Sequence, residues 1–192
     1  MSTRYLGIAT TASVAAAQEH YGSAAQWERI GVRGHADDTG QSQRLGPSER
    51  TFIRARDGFY LGSVSDTGWP YVQYRGGPAG FLTTVDASTL GFADFRGNGQ
   101  YITTGNVRTN DRVSLFLMDY AHRQRLKIFG HMCIIDATAD PVLAKKLTVP
   151  DYPARVERLV LIAVEVFDWN CPQHITPRFT QAELERWRTQ PK

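Results

Sequence analysis

The sequence predicts a mainly β chain, antiparallel and barrel-like, with short flanking helices. Three observations predict it. Stretches rich in aromatic and β-branched residues recur between Phe59 and Phe167. Short turn signals separate successive stretches, which favours antiparallel neighbours over the long crossovers of a parallel sheet. Many of the 17 glycines fall inside these patterned segments, as the bulges and bends of a curved sheet require.

The elements follow in order. Ala12 to His20 is built from good helix formers and predicts an N-terminal helix. Residues 22 to 46 hold many Gly, Asp, Ser and Gln residues with little periodicity, and read as an extended lead-in. Residues 1–46 are therefore a helix and lead-in, and 47–192 the main domain with its C-terminal helix. Pro47 and Ser48 open a short helix. Proline suits the first turn, and Glu49 complements the positive end of the dipole. Asp57-Gly58 ends it. Phe59 to Ser65 is a strand, Asp66-Thr67-Gly68 a turn, and Tyr71 to Arg75 the returning strand. Phe81 to Val85 and Leu90 to Phe95 read as a second hairpin about Asp86-Ala87-Ser88.

Gln100 to Thr104 reads as a helical piece ended by Gly105, with Asn106 to Asn110 as a second helical turn. Val113 to Met118 is apolar on both faces, which predicts a central strand. From Arg125 to Ile135 the chain alternates. Leu126, Ile128, Met132 and Ile134 face one way; Arg125, Lys127 and His131 face the other. Ala139 to Leu147 is helical, and Leu159 to Phe167 is a long buried strand. Asp168 to Phe179 is a loop, and Thr180 caps a final helix through Arg188.

Composition bounds the function. A chain of 192 residues is one domain of ordinary size that can bury a core without metal or disulfides. A net charge of +3, with no dense Lys/Arg block, excludes nucleic acid and suits a small anionic ligand. Cys133 and Cys171 cannot make a disulfide framework or a four-cysteine zinc site. No run of 18 apolar residues predicts a membrane span. Tyr5 to Ala17 after Arg4 has a faint signal-peptide pattern, but Thr10, Thr11 and Ser13 dilute its apolar region. A cytoplasmic location is expected.

Two glycine clusters, Gly76-Gly77-Pro78-Ala79-Gly80 and Gly97-Asn98-Gly99, could bring backbone close to a ligand. The second precedes a helix, whose N-terminal N–H groups suit phosphate. Taken alone, each cluster suits the bulges and turns of a curved sheet better than a ligand. Neither cluster is a Walker loop or a dinucleotide fingerprint. Arg75 and Arg96 flank the clusters, and Arg125 and Lys127 share one strand face. Arginine binds phosphate or a polar ring edge bidentately. Cys171-Pro172-Gln173-His174 lacks partners for a metal, so no metal site is predicted. Its loop, with Trp169, Asn170 and Gln173, suits a planar heteroaromatic ring as readily as a plain connection.

From residue 48 to 180 the chain resembles the pyridoxamine 5'-phosphate oxidase-like family, the FMN-binding split barrels. The resemblance is carried by four stretches: Gly91 to Tyr101, Asn110 to Tyr120, Arg123 to Gly130, and Asp168 to Ile175. It looks closest to a bacterial branch that also forms the front module of flavoprotein–ferredoxin fusions; this chain would be a stand-alone version. The resemblance implies a split β-barrel and a homodimer with two FMN sites at the interface. It places Gln73, Tyr74, Arg75 and Gly76 beside the flavin and its phosphate tail. It places Asn98, Gln100, Tyr101 and Thr103 in the segment that helps hold FMN. Arg125 falls where a side chain reaches the flavin ring, and it or Lys127 would steady the charge of reduced flavin. Trp169, Asn170, Gln173 and His174 would approach from the partner subunit.

The departures narrow the expectation. True oxidases carry an Arg-x-Val-Leu-Leu-Lys run whose lysine meets the substrate phosphate; here the run is Gln73 to Pro78, without lysine. Their Ser-Arg-Lys run is Tyr101-Ile102-Thr103 here, and only Pro177-Arg178-Phe179 echoes their substrate-binding pattern. The resemblance therefore implies an FMN-dependent oxidoreductase acting on a substrate other than vitamin B6. Two other readings stand beside it: a flavin carrier or sensor without turnover, and a split barrel holding haem or a deazaflavin. Haem would look to His131 or His174 for a ligand.

Overall fold

The computed structural model describes residues 3–34, 43–169 and 171–189. Its centre is one seven-stranded antiparallel sheet: β1 (Gly58–Val64), β2 (Pro70–Gly76), β3 (Thr83–Thr84), β4 (Thr89–Phe95), β5 (Arg112–Asp119), β6 (Gln124–Asp136) and β7 (Val156–Trp169). The strand order is β2-β1-β5-β6-β7-β4-β3, and the sheet does not close through backbone bonds. The helices are α1 (Thr3–Ala9), α2 (Ala12–His20), α3 (Ala24–Gly34), α4 (Pro47–Arg54), α5 (Ile102–Thr109), α6 (Pro141–Leu147) and α7 (Gln181–Thr189).

Alternation decides which face is buried. Phe59 and Leu61 of β1 meet Val113, Leu115 and Leu117 of β5, Leu126 and Ile128 of β6, and Ile162 and Val164 of β7 in one core. Phe92 of β4 joins them edge-on to Phe59, with ring centroids 5.6 Å apart. A smaller cluster of Ala93, Leu147 and Leu159 seats α6 on β4 and β7. Phe52 and Ile53 fix α4 to the main core.

Four expectations need correction. The lead-in is not extended throughout: Ala24–Gly34 is helical as α3. Gly105 does not end a helix. Its N–H bonds Tyr101 at 2.8 Å and α5 runs on to Thr109. The tertiary bonds of Thr103 to Gln73 and Asn106 to Ser63 outweigh the roughly 1 kcal/mol that an interior glycine costs. The first strand of the second hairpin shrinks to Thr83–Thr84, because Phe81 and Leu82 turn into the core instead. Finally, β5 is central but buries only one face: Ser114 is exposed and Phe116 and Met118 are half-buried. The final helix begins as its sequence predicts, with Thr180 Oγ1 accepting the Glu183 N–H at 3.3 Å.

Candidate functional site

The cleft of interest lies where the two ends of the open sheet approach each other. Arg75 of β2 donates to buried Asp94 of β4 at 2.5 Å, although β2 and β4 are far apart in the strand order. Arg158 of β7 donates to the other oxygen of Asp94 through Nε at 3.0 Å and Nη2 at 2.7 Å. One carboxylate thus holds two guanidiniums at the seam. Burial works against the Arg158 charge, but the Asp94 hydrogen bond and charge outweigh it and hold the guanidinium above its ordinary range.

The mouth is made by the segment between β4 and α5. Gly97 and Gly99 have nothing within 4 Å of where a side chain would begin. Gly99 has φ +78, a conformation that glycine adopts without strain. Asn98 Oδ1 accepts the Gln100 N–H at 3.1 Å and shapes the turn. Tyr101 then sits at the helix N-cap with φ 52, which costs a residue with a side chain roughly 1 kcal/mol or more. Among the described residues no side chain caps this helix start, and its first residues, Ile102 to Thr104, line the cleft. Such an end is favourable to an anion.

Several residues singled out from the sequence come together here. Gln73, Arg75, Asn98, Gln100, Tyr101 and Thr103 line the same cleft, with Tyr71, Phe95 and Arg158. Gln73 and Arg75 do so because they share one face of β2. Thr103 donates to Gln73 Oε1 at 3.1 Å and ties α5 to that strand.

Others lie elsewhere. Tyr74 points to the opposite face of β2 and meets Tyr60 edge-on, with centroids 5.5 Å apart. A side chain at Gly58 or Gly76 would collide with the Tyr74 ring, so the space above Gly76 belongs to that tyrosine. The space at Gly77 is filled by Phe81. Of the two glycine clusters, only Gly97-Asn98-Gly99 opens on the cleft. Arg125 and Lys127 face outward on β6. Among the described residues the Nε of Arg125 is buried with no hydrogen-bond partner, as is the Nε of Arg75. Lys127 pairs with Asp168 at 3.5 Å and lies 4.3 Å from the ring centroid of Tyr5, under α1. Trp169 packs edge-on against Phe52 and donates to Glu49 at 2.8 Å. Gln173 and His174 are exposed in the following loop. Asn170 lies outside the described residues.

Asp94 and Arg158 were not assigned a role from the sequence. A signal was available: Asp94 interrupts an apolar strand, Phe92-Ala93-Asp94-Phe95, and a carboxylate there requires a buried cation. Nothing local says which cation, because its partners come from β2 and β7. Among the described residues no cluster of three or more His, Cys, Asp or Glu side chains could hold a metal ion. Among them, also, no helix is long and apolar enough to cross a membrane.

Sheet order and open seam define a split barrel with a cleft at its seam. The family profile described as pyridoxamine 5'-phosphate oxidase matches residues 45–169, and the chain belongs to that family. Comparison with curated proteins finds no match. Among solved structures, the fold is similar to that of a candidate pyridoxamine 5'-phosphate oxidase from Lactobacillus delbrueckii, 18% identical. That match covers 67% of this chain and 96% of the other, with a TM-score of 0.51. HupZ of Group A Streptococcus is 14% identical, with 70% of this chain and 100% of the other covered and a TM-score of 0.49. An FMN-binding protein from Syntrophomonas wolfei is 9% identical, with 64% and 83% covered and a TM-score of 0.47.

Proposed function

We propose that the chain is an FMN-dependent oxidoreductase, active as a cytoplasmic homodimer with FMN at the subunit interface, and not a true pyridoxamine phosphate oxidase. The observation that carries this reading is the shared cleft of Gln73, Arg75, Asn98, Gln100, Tyr101 and Thr103 at an uncapped helix start. Family membership supplies the flavin; the cleft supplies the chemistry that a phosphate tail needs.

The residues fit the group. Arg75, with its unpartnered buried Nε, and Arg158 offer guanidinium donors, and the α5 start offers backbone N–H groups. Gly97 and Gly99 leave room for close approach. Gln73 and Gln100 supply amide donors and acceptors for the polar chain and ring edge. When bound, FMN supplies hydride and electron transfer to an acceptor. The protein binds the phosphate, orients the ring and holds positive charge near it. Arg125, whose buried Nε also lacks a partner, is assigned to the ring edge together with Lys127.

Because Arg125 and Lys127 face away from the cleft, a complete site calls for a second copy. Exposed Val72 and Tyr74 on the outer face of β2, beside Tyr60, give that copy apolar surface to cover. The loop of Trp169, Asn170, Gln173 and His174 is assigned to the partner's flavin. Where true oxidases carry the substrate-phosphate lysine, Pro78 stands. A pyridoxamine phosphate dianion would lose that charge-assisted bond.

The test is the absorption spectrum of the purified protein, followed by FMN titration and stopped-flow mixing with NADH and NADPH. Oxidised-flavin bands that bleach with a donor support the reading. A Soret band, or a colourless protein that refuses FMN, ends it. Bound flavin that neither donor reduces leaves a carrier.

A further inference from the structure

The two guanidiniums that line the cleft are paired with more negative charge than an anion site requires. Arg75 and Arg158 bring two cations; Asp94 and Glu157 bring two carboxylates. Asp94 is buried and bridges both guanidiniums, so it acts as a fixed strut. Glu157 is different. It is part-exposed, and its two oxygens take two separate donors: Tyr101 Oη at 3.0 Å and Arg158 Nη1 at 2.7 Å. Tyr101 and Arg158 both line the cleft, and the guanidinium lies 4.6 Å from the centroid of the Tyr101 ring.

We propose that Glu157 is a built-in competitor for the ligand phosphate, holding Arg158 and Tyr101 until an anion displaces it. A carboxylate that spans a guanidinium and a phenol with one oxygen each presents the pattern that two phosphate oxygens would present. With Glu157 in place the cluster is charge-balanced, and an arriving dianion gains little net attraction. With Glu157 turned away, Arg158 keeps Asp94 on Nε and Nη2 and offers its Nη1 side to the ligand. Asp94 thereby fixes the direction of the Arg158 fork, and Glu157 sets how tightly that fork binds an anion. The inference rests on the FMN reading only for the identity of the ligand.

The test is Glu157→Gln, which keeps the shape and the acceptor oxygen but removes the charge. Glu157 is part-exposed, and Glu157→Ala serves as a second variant that must move the same way. Each protein, freed of bound flavin, is titrated with FMN, riboflavin and inorganic phosphate. The expected result is FMN and phosphate binding about 3- to 10-fold tighter in both variants, with riboflavin unchanged. Equal FMN affinity in wild type and both variants overturns this inference and leaves the FMN reading standing. A gain for riboflavin equal to that for FMN also overturns it, because the effect would then lie at the ring. A wild type that refuses FMN but binds phosphate, more tightly after Glu157→Gln, supports the inference and ends the FMN reading. Failure of every variant to bind either FMN or phosphate ends both.

Discussion

Arg75 on β2 and Asp94 on β4 form an ion pair at 2.5 Å between strands that stand first and sixth in the sheet order. No backbone ladder joins these two strands. The sheet curls until its ends meet, and side chains close what hydrogen-bonded strands leave open. Phe59 against Phe92 does the same in the apolar layer beneath. The cleft lies on this seam, so the groups that complete the barrel also form the site.

Asp94→Asn tests the seam. The variant leaves two guanidiniums side by side without their shared counter-charge. Unfolding in urea should show a loss of about 3–5 kcal/mol, the usual result of breaking a buried pair from one side. A loss below about 1 kcal/mol would show that apolar packing alone holds the seam.

Arg125→Ala tests the outer-face assignment. Its Nε is buried without a hydrogen-bond partner among the described residues, so little internal bonding is lost. FMN affinity should fall about tenfold, as expected for removing one charge-assisted donor. Unchanged affinity in an FMN titration removes Arg125 from the site.

Trp169→Ala tests the interface. Its loss removes the ring packed on Phe52 and the donor to Glu49, at roughly 3 kcal/mol of stability. If the loop it leads into reaches the partner's flavin, FMN release and dimer dissociation occur together in sedimentation runs. Full FMN occupancy in a weakened dimer counts against the interface assignment.

Gly130→Ala tests the β6–β7 packing. A Cβ there would stand 2.5 Å from the Ala163 carbonyl oxygen and 2.8 Å from Ile162 Cγ2. The first is backbone and cannot swing aside. A thermal-unfolding loss of about 1–3 kcal/mol is expected from this overpacking.

Asp119 gives the pH dependence. Burial pushes its carboxyl up, but the His122 backbone N–H and the Arg56 guanidinium outweigh that and hold it below the ordinary carboxylate range. A folded-state value below the unfolded one gives stability that is fully present above the unfolded value. That stability is lost as pH falls through the folded value. Denaturant midpoints should therefore decline in acid, and Asp119→Asn should flatten the decline. A variant whose acid profile matches the wild type would sink this assignment.

How much of this could be read beforehand depends on the range of the interaction. Strand period, turn residues and caps act over a few neighbours. Ala12–His20, the Pro47 start of α4, the first hairpin and the Thr180 cap were therefore readable, whereas α4 stops at Arg54, short of the Asp57-Gly58 signal. The long helix through Gly105 was not, because Ser63 and Gln73 pay for its continuation from other elements. Gly76 and Gly97 look alike in the chain; one lies under the ring of Tyr74 and the other opens on the cleft.

The sequence by itself determined the antiparallel β class, the alternation of β6, the family likeness and, among the residues that line the cleft, Gln73, Arg75, Asn98, Gln100, Tyr101 and Thr103. Periodicity and motif fix those within single segments. The tertiary structure decided that Asp94 joins Arg75 to Arg158, that Glu157 bridges Arg158 and Tyr101, and that Arg125 and Lys127 stand apart from the cleft. The physical reason is that a buried charge must be matched in space. Strand pairing sets Arg158 of β7 beside Asp94 of β4, and only the curl of the sheet brings Arg75 of β2 close enough to complete the match.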